Sequence, residues 1–123
     1  MAVAVLAGPA WAQGHPCERA VAQIELNMCT YEAWQLADKD LNDAYAAAIK
    51  AAKSYDEWPE GRAEETLRAA QRAWVAFRDA ACEAEAATWD GGSGQPMARN
   101  DCLETQTLRR AEDLWAYAGA WGG

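Results

Sequence analysis

Histidine and serine, two residue types that often perform catalysis, are rare in this 123-residue sequence. His15 is the sole histidine, and Ser54 and Ser93 are the two serines, neither of them near a base in the sequence. Carboxylates are numerous but scattered, so their spacing does not single out an acid–base pair. The residue types therefore predict a protein that binds a partner rather than an enzyme, and they indicate no cofactor.

Four cysteines carry the clearest chemistry, and their even number in a small chain predicts two disulfides. A zinc site would need closely spaced ligand pairs, which these four positions do not offer. Cys82 and Cys102 flank a Gly-rich loop and can meet across two antiparallel helices. A disulfide requires that the two Cα atoms lie within ~7 Å of each other. Cys17 and Cys29 can meet this condition only if the chain after Cys17 folds back along the first helix. We predict the pairs Cys17–Cys29 and Cys82–Cys102.

The most attractive contact site is the loop between the last two cysteines, which carries Trp89, Asp90, Gly91, Gly92 and Ser93. Glycine lets a backbone approach another surface closely, and Asp90 and Ser93 supply hydrogen-bond acceptors at the tip. The same residues also fit a loop whose glycines only satisfy turn geometry under the disulfide. The sequence supports both interpretations of this loop, a contact site and a simple turn, about equally.

Tryptophans divide into loop and helix positions. Trp58, before Pro59, and Trp89 lie in loops, where they could stack on a sugar ring or anchor a protein, or simply pack against helix ends. Trp34, Trp74 and Trp115 fall on or beside inner helix faces, which predicts that they are part of the core.

Arg78 lies beside Phe77 at the edge of an apolar helix face. It could recognise a partner, or it could be a partly buried guanidinium that pairs with Asp38 or Glu25 of the first helix. A pair of this kind would set the register between helices, so we predict the structural role.

Apolar residues recur at helical spacing in three segments, about 22–53, 62–87 and from Asn100 or Asp101 onward, where one of these two residues caps the third helix. The apolar face of the first helix is predicted to consist of Ile24, Met28, Tyr31, Trp34, Ala37, Leu41, Tyr45, Ala48 and Ala52. The inner faces of the other two are predicted to contain Leu67, Ala70, Trp74, Phe77 and Ala81, and Leu103, Thr107, Ala111, Leu114 and Ala118. The fold class is therefore all-α: a three-helix up-down bundle with a long first helix, stapled by two disulfides.

Residues 1–12 have the features of the end of a secretory signal peptide, with an apolar stretch and small residues at Ala10 and Ala12. This predicts cleavage after Ala12 and a periplasmic or secreted domain of residues 13–123. The stretch is too short to insert across a membrane, which takes ~20 apolar residues. A short helix that stays in the mature protein is the alternative.

The formal net charge of −8 argues against nucleic acid and anionic membranes as partners, because basic surfaces bind both. It favours a basic partner, or it serves solubility alone.

These residues together resemble the N-terminal domain of the LprI-type lysozyme inhibitors, a family of bacterial secreted proteins. The matching positions are Cys17, Ala20, Gln23, Glu25, Asn27, Cys29, Ala37, Asp38, Leu41, Asn42 and Tyr45, most of the segment 70–82, and then Gly91, Gly92, Ser93, Cys102, Thr107, Arg110, Ala111 and Leu114. The resemblance covers almost all of residues 13–123. It implies an all-helical exported domain and, as for some members, inhibition of c-type lysozyme.

The leading function is therefore occlusion of the lysozyme cleft, with an acidic surface that speeds the encounter with the basic enzyme. One alternative is a module that binds peptidoglycan or another envelope glycan through Trp58 and Trp89. The other is an accessory domain that binds an envelope protein. The sequence leaves the oligomeric state open.

Overall fold

The protein, seen in a computed structural model that describes residues 14–119, is built from three α-helices. Helix α1 spans Gln23–Tyr55, α2 spans Ala63–Ala87 and α3 spans Gln95–Gly119. No strand occurs within the described range. The predicted all-α bundle with a long first helix is confirmed. The proposed signal segment 1–12, with its cleavage point after Ala12, lies outside the described residues.

Helices α1 and α3 run parallel and form the main interface of the bundle, while α2 packs more sparsely on both. Their shared direction is visible in two pairs of contacts: Asn100 of α3 meets Asn27 of α1, and Trp115 meets Asp40 further along. The side of α1 that faces the core consists mostly of small side chains: Ala33, Ala37, Leu41, Ala44, Ala48 and Ala52. Small side chains let two helix backbones approach closely, so this alanine seam fixes how α1 and α3 pack.

Helix α3 buries the face that the sequence predicts, with Leu103, Thr107, Ala111 and Leu114 all in the core. Its start differs from the prediction, because the helix begins at Gln95 rather than after a cap at residue 100 or 101. Pro96 fits the first turn, where a backbone N–H has no helical partner to lose. Asn100 is therefore a buried helical residue, and its side chain donates to the Asn27 carbonyl and to Thr30 Oγ1, both at 3.2 Å.

The predicted inner face of α2 is confirmed only in part. Leu67 is buried and Trp74 packs against the core, whereas Ala70 and Phe77 are exposed. The other buried residues of this helix are Arg78, Cys82 and Ala86. Trp115 of α3, also predicted in the core, is 44% exposed. On α2 the reason is that Arg78 occupies the centre of the inner face. A hydrophobicity pattern predicts that an arginine faces solvent.

Arg78 is buried between two indole rings. Its guanidinium carbon lies 5.9 Å from the ring centroid of Trp34 and 5.1 Å from that of Trp74. Its Nε donates to Asp79 Oδ1 at 3.0 Å and its Nη1 donates to Thr107 Oγ1 at 3.3 Å. The guanidinium thus replaces an apolar side chain in the core, through cation–π contacts and hydrogen bonds to its own and a neighbouring helix.

The predicted pairing of Arg78 with Asp38 or Glu25 is wrong, because its carboxylate partner is Asp79. Glu25 instead accepts a hydrogen bond from the backbone N–H of Ala22 at 3.0 Å, where it caps the start of α1.

The predicted disulfides Cys17–Cys29 and Cys82–Cys102 are both present, with Cα atoms 5.2 and 5.4 Å apart. The first disulfide joins α1 to a short arm that precedes it. Two hydrogen bonds shape this arm: Glu18 N–H donates to the His15 carbonyl, and Ala20 N–H donates to the Cys17 carbonyl. Both bonds lie at the end of the bundle where α1 begins and α2 ends. None of the three helices carries an apolar stretch long enough to cross a bilayer.

Enlarging a side chain in the alanine seam tests this packing. Ala48→Leu should lower the free energy of unfolding by about 1–3 kcal/mol, because a fully buried position between two helices has no room for three more carbons. Chemical denaturation measures the effect. Ala46→Leu, the same change at an exposed position of α1, is the control and should shift the value by under about 0.5 kcal/mol. Equal effects at both positions would contradict the close packing of α1 on α3 through these alanines.

The structural role of Arg78 has its own test. Arg78→Ala should lower the free energy of unfolding by about 2–4 kcal/mol, since it empties the space between two indoles and removes both cation–π contacts. Thermal unfolding of Arg72→Ala, an exposed arginine on the same helix, should match the parent protein. An Arg78→Ala protein with an unchanged melting temperature would show that the residue does not hold the helices together.

Candidate functional site

The α2–α3 loop is a tight turn that continues the hydrogen bonding of the helix before it. The N–H groups of Trp89 and Asp90 donate to the carbonyls of Ala86 and Ala87 at 2.9 and 3.2 Å, and Gly92 N–H donates to the Trp89 carbonyl at 2.9 Å. Gly91 has a φ of +81°, a conformation that favours glycine. The predicted turn role of these glycines is therefore real, and it leaves the tip of the loop exposed.

Trp89 lies over the backbone of Gly94. A Cβ at position 94 would come within 2.9 Å of the indole, so only glycine lets the ring rest in this position. The ring remains 45% exposed. Asp90 Oδ1 accepts a 2.6 Å hydrogen bond from Gln95 Nε2, which also donates to the Ala86 carbonyl. The aromatic ring and the carboxylate at the tip are thus held in fixed positions while still facing solvent.

Helix α1 holds this loop in place through a chain of amide side chains. Asn27 Nδ2 donates to the Ser93 carbonyl at 3.0 Å, and Gln23 Nε2 donates to Asn27 Oδ1 at 2.8 Å. The backbone carbonyl of Asn27 in turn accepts from Asn100. The loop and the first turns of α1 therefore form one unit, which sequence reasoning did not reveal because these residues are about 70 positions apart.

An exposed apolar stripe runs along the same end of α1. Val21, Ile24, Met28 and Tyr31 follow one another at helical spacing, and Ile24 is 70% exposed. The apolar face predicted for α1 is confirmed from its middle onward, where Ala37, Leu41, Ala48 and Ala52 are buried. It is wrong at its start, because Ile24, Met28 and Tyr31 lie on a side of α1 that α3 does not cover. Large exposed apolar patches often belong to binding surfaces, which makes this stripe a candidate contact site.

We call the exposed residues at this end of the bundle, namely Ile24, Met28, Tyr31, Trp89 and the loop tip 90–93, the loop-end surface. It combines apolar side chains with the carboxylate of Asp90 and the exposed residues Gly91, Gly92 and Ser93. Trp58 is not part of it. That residue, 77% exposed, lies beyond the opposite end of α2, whose 25 residues span about 37 Å.

The first turns of α3 add negative charge next to this end. Burial raises the pKa of Asp101 above its ordinary value, and the nearby charge of Glu104 raises it further. Glu104 itself is buried and accepts a hydrogen bond from His15 Nε2, while the other ring nitrogen of His15 accepts from Cys17 N–H. Both ring nitrogens are therefore used in holding the arm. Across residues 14–119, no group of three or more potential ligands is arranged to hold a metal ion.

Comparison with known proteins shows which sequences this chain resembles. The sequence model of the family described as "Lysozyme inhibitor LprI" matches residues 17–114. The uncharacterized protein R02472 of Rhizobium meliloti (strain 1021) is 35% identical over 104 residues, which cover 80% of this chain and 75% of that protein. No solved structure shows significant similarity.

The raised pKa of Asp101 predicts a pH-dependent stability. The folded protein binds this proton more tightly than the unfolded chain does, so the contribution of Asp101 to stability is greatest at low pH and is lost as the pH rises through its folded pKa. Asp101→Asn should therefore raise the melting temperature at pH 7, and the gain should shrink as the pH falls toward the ordinary carboxyl pKa of about 3.9.

Thermal unfolding over a pH series measures this difference. Asp43→Asn, at an exposed position of α1, removes the same charge and is the control. The assignment fails if both variants change with pH in the same way.

Proposed function

Because the chain belongs to the LprI lysozyme inhibitor family, we propose that it binds a c-type lysozyme and blocks the cleft of that enzyme with the loop-end surface. The family suggests an inhibitory binding function rather than catalysis. The part of the molecule that makes contact is our inference from the geometry.

The observation that carries this proposal is the exposed apolar stripe beside a loop held in place from two sides. Hot spots of protein interfaces are typically aromatic or large apolar side chains surrounded by polar groups. Tyr31 and Trp89 fit that description, and Asp90 supplies the polar group. Since Asn27 and Gln95 already fix the loop, little conformational freedom is left to lose on binding, which favours affinity.

Electrostatics support a basic partner. The chain carries 19 acidic and 11 basic residues, and c-type lysozymes are basic proteins. Opposite net charges speed the encounter of two proteins at low ionic strength, and salt weakens this effect. We therefore expect inhibition to be strongest at low salt.

Export to the periplasm or the medium is part of the same proposal. Two disulfides in a domain of this size are typical of proteins that fold in an oxidising compartment. Such a location would place the protein where it meets lysozyme.

The alternative glycan site that uses both Trp58 and Trp89 is disfavoured by the fold. The two indoles are separated by the full length of α2, about 37 Å. A short saccharide cannot contact both, so a peptidoglycan-binding role would have to use one of them alone.

Hydrolysis of bacterial cell walls by a c-type lysozyme, with increasing amounts of the oxidised protein, tests the proposal. We expect saturable inhibition that weakens as salt rises. Trp89→Ala should raise the concentration for half-inhibition by about 30-fold, which corresponds to a hot spot of about 2 kcal/mol. The double variant Ile24→Ser, Met28→Ser should also inhibit less well, with no loss of stability because both side chains are exposed.

Trp58→Ala provides the matched control, since it removes an exposed tryptophan at the far end of the bundle. Its inhibition should equal that of the parent protein. Absence of inhibition by the folded, disulfide-bonded protein would refute lysozyme as the target. Inhibition that survives in both loop-end variants would refute the loop-end surface as the contact.

A further inference from the structure

A groove of about 480 Å³ lies between α1 and α3 on the part of the surface that α2 does not line. The arm before α1 closes one end of it with His15, and α1 contributes Asp40. Its main wall is one face of α3, formed by Glu104, Leu108, Glu112 and Trp115. These four residues follow one another at steps of four, four and three, the spacing of a single helical face. The groove therefore has a continuous wall in which acidic and apolar side chains alternate.

Glu104 is the unusual member of this wall, because it is a carboxylate that is only 8% exposed. A carboxylate has room for about four hydrogen bonds. Within residues 14–119, its hydrogen bonds come from one donor, the Nε2 of His15, which lies 3.1 and 3.2 Å from its two oxygens. A buried carboxylate with one donor retains most of its capacity to accept, and its open side faces the groove.

His15 uses its two ring nitrogens in different contacts. The backbone N–H of Cys17 donates to His15 Nδ1 at 3.1 Å, and Nε2 faces the carboxylate of Glu104. The groove is lined by three carboxylates, those of Asp40, Glu104 and Glu112, and by one arginine, Arg109, which is exposed and forms no ion pair within the described part of the chain. The groove carries net negative charge, and the field of Glu104 is also felt by the carboxyl of Asp101, whose pKa it helps to raise.

Trp115 provides an aromatic wall at the other end. Its Nε1 donates to Asp40 Oδ1 at 3.1 Å, which fixes the orientation of the indole. The residue is nevertheless 44% exposed, so part of the ring remains accessible. An aromatic surface next to carboxylates attracts organic cations through the ring quadrupole and through charge.

We propose that this groove is a binding site for an ammonium or guanidinium group carried on a short aliphatic chain. The cation lies against Glu104 and Glu112 and supplies the donors that the buried carboxylate lacks. The aliphatic chain packs on Leu108 and Trp115. This site lies outside the loop-end surface, and its binding of a cation can be measured without lysozyme. A free amine or the side chain of an arginine or lysine on a protein partner could supply the group.

Titration of the ¹⁵N-labelled, disulfide-bonded protein with agmatine tests the proposal, because agmatine carries both cationic groups on a four-carbon chain. The Nε1–H signal of Trp115, identified by its absence in Trp115→Phe, should move in a saturable way. Glu104→Gln keeps the size of the side chain and an acceptor for His15 but removes the charge. It should weaken binding by about tenfold, the factor expected for a hydrogen bond to a charged group.

Glu65→Gln, the same change at an exposed position of α2, is the control and should leave the affinity within about twofold. Two results would overturn the proposal: no saturable shift of the Trp115 signal at millimolar agmatine, or equal weakening by both Gln variants. Pentan-1-ol, which has a similar aliphatic chain and no charge, should not produce the shift.

Repeating the titration in the presence of lysozyme shows whether the cation is a free amine or a side chain of the enzyme. If lysozyme abolishes agmatine binding in the parent protein, a basic side chain of the enzyme occupies the groove. If agmatine still binds in the complex, the site takes a free amine. Either result supports a cation site, and agmatine binding can be measured whether or not lysozyme is inhibited.

Discussion

The close packing of α1 on α3 through alanine side chains is the constraint on which the rest of the structure depends. Ala44 and Ala48 lie in one core cluster with Ala111 and Leu114, so small side chains make up much of the contact between the two helices. Once α1 and α3 are in contact along this seam, α2 can only lie against their flank. Its inner face therefore needs a long side chain that reaches across, and Arg78 provides it between two indoles. The same geometry leaves one apolar side of α1 uncovered.

Hydrophobic periodicity predicted the existence of every helix and the buried face of α3, because α3 has Leu103 and Leu114 on the side that packs on its neighbours. It was wrong for the first part of α1. The predicted face is buried at Ala37, Ala48 and Ala52, but Ile24 and Met28 are exposed. Close helix contact favours small side chains, and a hydrophobicity scale gives them little weight. The true start of α3 was missed because the GGSGQP segment is typical of a loop.

The candidate site was predictable only in part. The glycines and the two cysteines located the loop, and the disulfide pairs followed from reach alone. What the sequence could not provide is which distant residues hold the loop or line the groove. Asn27 meets Ser93, and His15 meets Glu104, through contacts between residues 66 and 89 positions apart. Such contacts depend on how the helices are rotated, and that rotation was the part of the fold that periodicity did not determine.

The two ends of the bundle are built differently, and the difference bears on function. Both disulfides and the Asn27 network hold the loop end, whereas the other end depends on Asp56, whose carboxylate accepts from the N–H groups of Ala63 and Glu64. The exposed large apolar residues of α1 all fall before residue 37, at the rigid end. Because they are solvent-exposed there, packing of this domain does not account for their apolar character. This is why we propose that they contact a partner, since a rigid apolar surface loses little entropy when a partner covers it.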